Sequence, residues 1–104
     1  KQMKKLLTTI ALCAFMSPAF AETVTIAGCT RIGDIAQVIM EARQAGVAPS
    51  AIMDAMEGEP VAPYMVVAAF KVDRWHSEQF QLHEVQDFRA DWELKCYTQL
   101  GEAA

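Results

Sequence analysis

The chain has no C-x-x-C pair, no glycine-rich phosphate loop and no internal repeat. Those gaps exclude the commonest redox and zinc motifs, a nucleotide cradle and a solenoid. No apolar run approaches the roughly 20 residues that a membrane-spanning helix requires. Positive charge is also scarce, with nine Lys and Arg against 13 Asp and Glu. A surface of that sign argues against nucleic acid, anionic lipid or lipopolysaccharide phosphate as the main partner. A charged partner, if there is one, is expected to be basic.

What is present begins with a leader. Lys4 and Lys5 form a positive start, Leu6 to Met16 an apolar stretch, and Pro18-Ala19-Phe20-Ala21 ends in an A-x-A cleavage pattern. The apolar stretch is about half the length of a membrane anchor. Residues 1–21 therefore read as a signal peptide that is removed on export, leaving 22–104 as a single domain with no further tie to the membrane. The expected compartment is the periplasm. Removal leaves 83 residues, in which six basic side chains face 13 acidic ones for a formal charge of −7.

Cysteine counting then resolves. Cys13 leaves with the leader, and Cys29 and Cys96 remain. Two cysteines in an exported chain read as one disulfide. A domain of this size buries a modest core, so a bridge closing so long a loop is expected to supply much of its net stability.

Periodicity gives an all-α fold, a small four-helix domain tied by that bridge. The longest helix is expected from Ser77 to about Gln99, with Val85, Phe88, Trp92 and Cys96 along one stripe. Ser77 supplies its cap and Glu78 complements its dipole. The first helix is expected over Thr30–Ala45, its buried stripe formed by Ile32, Ile35, Ala36 and Ile39. Gly46 follows as a left-handed C-cap. Glu22 to Gly28 reads as an extended arm leading to Cys29. A short second helix begins at Pro49, with Ile52, Met53 and Met56 as its apolar face. A third, from near Pro63 to Val72, is apolar almost all the way round and is expected to be surrounded by the others. The tail from Gly101 is expected to fray.

Few residues carry chemistry. A hydrolytic triad has only Ser50, Ser77, His76 and His83 to draw on, and both serines sit at helix starts where caps are expected. Glu84, Asp87 and Asp91 make an acidic line on the long helix, most simply a solvated face, and Asp34 is expected to complement the dipole of the first helix. Met40, Met53, Met56 and Met65 with the two histidines raise soft-metal binding, copper above all, although methionine at helical spacing is usually core. No catalytic residue, cofactor or metal ligand is assigned. Tyr64 and Trp75, large aromatics near element ends, are the candidate partner-binding residues.

Two segments, Glu41 to Val47 (EARQAGV) and the F-x-x-x-W-x-x-x-C run of Phe88, Trp92 and Cys96, resemble ones in small exported proteins of Gram-negative bacteria and their phages. By size, compartment, helical content and single long-range bridge, the chain is also similar in architecture to HdeA-type acid-stress chaperones and to periplasmic immunity proteins. The first likeness brings no function with it; the two architectural ones imply a protein that acts by binding other proteins. The expectation is therefore a non-enzymatic periplasmic binding or inhibitory protein. The alternatives are an acid- or envelope-stress chaperone, a copper-binding protein, and in any of these roles a homodimer.

Overall fold

The computed structural model describes residues 25–103, so the expected leader and residues 22–24 lie outside them. Four helices and no strand occur among the described residues: α1 Ile26–Gln44, α2 Pro49–Ala55, α3 Ala62–Phe70 and α4 Glu78–Ala103. The all-α, four-helix fold is as the sequence pattern indicates.

Helix α1 starts four residues earlier than expected. The hydroxyl of Thr25 accepts the Gly28 N–H at 3.0 Å, and the Thr25 carbonyl accepts the Cys29 N–H at 2.9 Å. Thr25 is thus the cap, and Ile26–Gly28 are helical instead of an extended arm. At the other end Gly46 takes φ +86°. The Val47 N–H reaches the Ala42 carbonyl at 3.0 Å and the Gly46 N–H reaches Arg43 at 3.1 Å, the paired bonds of a Schellman ending.

Helix α2 has Pro49 at its first position and sends Ile52 into the core. A second left-handed glycine, Gly58, lies in the turn that follows. Helix α3 packs on α1 and α2. It buries Ala62, Met65, Val66 and Ala69 but leaves Tyr64 71% and Val67 59% exposed. The expectation that neighbours surround it fails, because the long α4 lies along α1 instead. Helix α4 is started by Ser77, whose hydroxyl accepts the Phe80 N–H at 3.4 Å. It runs on through Gly101, where fraying was expected. Among the described residues positive φ occurs only at Gly46 and Gly58, so Gly101 does not break the helix.

The core is one cluster: Ile35, Ala36, Ile39 and Met40 of α1, Ile52 of α2, the buried face of α3, and Val85 and Phe88 of α4. Helices α1 and α4 are antiparallel, and α1 is tied at three levels, twice to α4 and once to the linker that precedes it. Cys29 and Cys96 form the expected bridge, with Cα atoms 5.4 Å apart. Midway, Arg89 of α4 donates to Asp34 and Gln37 of α1, each at 2.7 Å. Asp34 therefore pairs across the helices and is not a dipole partner. The hydrogen bond that Arg89 donates to Asp34 holds the Arg89 pKa above its usual value, burial opposing it and the Glu93 charge adding to it. A cation whose pKa is raised on folding stabilises at every pH below its unfolded value, so the Arg89 contribution is whole at neutrality and lost only in strong alkali.

The third level is Gln44, the one buried polar side chain of the core region. Its amide nitrogen donates to the Asp73 carbonyl at 2.8 Å, and its amide oxygen accepts the Trp75 N–H at 2.8 Å. Arg74 returns a bond to the Gln44 carbonyl at 3.0 Å. One glutamine thus fixes the linker between α3 and α4. Replacing Gln44→Ala is expected to lower stability by about 1–2 kcal/mol and to speed amide exchange at Trp75 well above that of α4. Unchanged protection at Trp75 would show that the linker is held by something else.

Candidate functional site

An apolar concavity lies at the bridged end. The Cys29–Cys96 bond draws the last turns of α4 against the first turns of α1, and Ile32 and Trp92 meet beneath them. Arg31 of α1 pairs with Glu59 and pins the turn before α3 to α1. Pro60, Val61 and Tyr64 then form the opposite wall. The result is a groove of about 370 Å³, open to solvent, with Cys96 in its lining. That volume suits one large apolar side chain or a short peptide turn.

Trp92 is the unusual member. Its ring meets Phe88 edge-on at 6.3 Å, and the Lys95 ammonium sits 4.4 Å from its centroid. Its indole Nε1 is buried and has no hydrogen-bond partner. A buried unpaired donor is destabilising by about 1–3 kcal/mol, so an acceptor brought to this position would gain what the free protein lacks. The rim carries no net charge. Arg31 is matched by Glu59, and Lys95 lies 3.0 Å from Asp91.

No family model, no curated protein and no solved structure matches this chain.

The two candidate partner-binding aromatics are not brought together. Tyr64 stands on the groove wall beside Trp92, level with Ile32 of α1. Trp75 sits at the other end, bonded to Gln44 and with its ring centroid 5.4 Å from that of Phe80. Twelve residues of α1 separate Ile32 from Gln44, about 18 Å of helix.

The candidates for chemistry are dispersed. Ser77 caps α4, Ser50 is exposed in the first turn of α2, and His83 lies 3.2 Å from Asp87 one turn along α4. Glu84 is half-buried and Asp87 and Asp91 are exposed, the last paired with Lys95. Met40 and Met65 are fully buried core residues, Met56 packs at the core edge, and Met53 is at the surface instead of on the buried face of α2. Among the described residues no group of three His, Cys, Asp or Glu side chains is placed to hold a metal ion.

Sequence reading found Trp92 as part of a stripe but not as a groove wall. It missed Pro60, Val61 and the Arg31–Glu59 pair, which no periodic signal links across 28 positions. Trp92→Phe keeps an aromatic ring and removes the unpaired N–H. Its urea unfolding free energy is expected within about 1 kcal/mol of the parent, whereas Trp92→Ala loses about 3 kcal/mol. A Phe variant as damaged as the Ala variant would mean that the indole N–H stabilises the free protein.

Proposed function

We propose that this is a non-enzymatic protein that binds, and by binding inhibits or protects, another protein outside the cytoplasm. One observation carries the reading: α3 consists entirely of apolar residues, proline and tyrosine included, yet is covered on one side only. A nine-residue helix with Tyr64 and Val67 facing water is an interaction surface or a liability. Its position beside a preformed groove favours the first. Tyrosine and tryptophan at the rim and floor of a concavity are the residue types that dominate binding energy at interfaces.

The bridge supports the proposed compartment. A disulfide closing 67 positions is compatible with an oxidising environment, and with the expected export signal it supports a periplasmic setting. In that setting a small, acidic, covalently tied bundle suits a partner that arrives folded and is capped or neutralised.

The test uses the oxidised protein and a Tyr64→Glu/Val67→Glu variant. Both positions are exposed, so the variant is expected to keep its circular-dichroism spectrum and unfolding midpoint. The parent is expected to recover a stoichiometric partner from envelope extract, and the variant to lose at least about 90% of it. Recovery of the same partner by a folded variant would remove α3 from the interface. No stoichiometric partner for the parent would end the binding reading.

A further inference from the structure

The end of the molecule opposite the groove has a different character. Trp75 lies in the linker, and its backbone is fixed from two sides: the N–H by the Gln44 side chain at 2.8 Å, the carbonyl by the Gln81 side chain at 2.5 Å. Despite this anchoring the indole remains 39% exposed and pairs with Phe80, which is 55% exposed. On α4, Phe80 and Leu82 (58% exposed) stand on opposite sides of a shallow depression of about 340 Å³. Packing does not explain three large apolar side chains left open around a backbone held in place. A rigid aromatic anchor is what an interface uses, because its ordering is complete before the partner arrives.

The charge around this facet is lopsided. Asp73, Glu78 and Glu84 lie in the linker and first two turns of α4, and among the described residues none of them has an ion-pair partner. The one strong cation in the stretch, Arg74, spends its guanidinium on the Gln44 carbonyl and lies against Gly46. The groove rim, by contrast, is neutral. Glu78 complements the α4 dipole. Asp73 precedes the helix and Glu84 is beyond its first turn, so the dipole does not account for either.

We infer that the Trp75–Phe80–Leu82 facet is a second docking surface, and that it takes a cationic amphipathic segment of a partner protein. Arginine or lysine side chains of that segment pair with Asp73, Glu78 and Glu84 and lie over the exposed rings, where the π faces attract cations. Its apolar residues cover Phe80 and Leu82. A second copy of this chain fits less well, since it would bring the same unpaired carboxylates against one another.

The experiment titrates the isotopically labelled, oxidised full chain with three synthetic peptides of equal length. Each alternates leucine with arginine, with serine or with glutamate, and amide shifts and calorimetry follow binding. The arginine peptide is expected to bind, to move amides of residues 73–87, and to weaken about tenfold when salt is raised to about 0.5 M. Asp73→Lys/Glu78→Lys, both at exposed positions, is expected to lose about tenfold in affinity while keeping the unfolding midpoint. Trp75→Ala is expected to lose a similar factor. Equal binding of the serine peptide, undiminished affinity in the charge-reversed variant, or no binding by the arginine peptide would overturn the inference. Shifts confined to residues 59–67 and Trp92 would also overturn it, while leaving the groove reading intact.

Discussion

The structure depends on holding two antiparallel helices, α1 and α4, together along their length with very little core. Eleven residues make up the hydrophobic cluster, three of them alanines, so dispersion and burial alone bind the pair weakly. The Cys29–Cys96 bridge removes much of the freedom of the unfolded chain by closing a loop across 67 positions. Arg89 with Asp34 and Gln37 sets the register in the middle, and Gln44 closes the far end.

This arrangement leaves surfaces uncovered. With α4 committed to α1, no other described element covers the outer side of α3, and a fully apolar helix is exposed at Tyr64 and Val67. The bridge draws the α4 end inward and forms the neutral groove around Trp92. The glutamine latch does the reverse at the other end, presenting Trp75 and Phe80 on a fixed backbone among unpaired carboxylates. The two ends thus differ in chemistry because different devices close them.

Much of this was legible in the sequence. The helix count, the Val85–Phe88–Trp92–Cys96 stripe, the Gly46 ending and the cysteine pairing all follow from local spacing and from counting. What was not legible is of a different physical kind. Thr25 overrode an apparently extended stretch because one hydroxyl satisfied an orphan N–H. Asp34 found Arg89 at a separation of 55 positions, which no local rule encodes. Apolar content says that α3 wants covering but not which sides its neighbours reach. The groove is likewise assembled from three separate segments, so only Tyr64, chosen as an aromatic at a helix start, was within reach of sequence reasoning as a binding residue.

The central claim is that the covalent clasp, more than the core, keeps α1 and α4 paired. Equilibrium urea unfolding of the oxidised chain against a Cys29→Ser/Cys96→Ser variant tests it most directly. The account gives a loss of about 4 kcal/mol, enough to leave the variant marginal or unfolded at room temperature. A variant with the same midpoint and slope as the oxidised parent would contradict it, and would place the stability of the fold in the core instead.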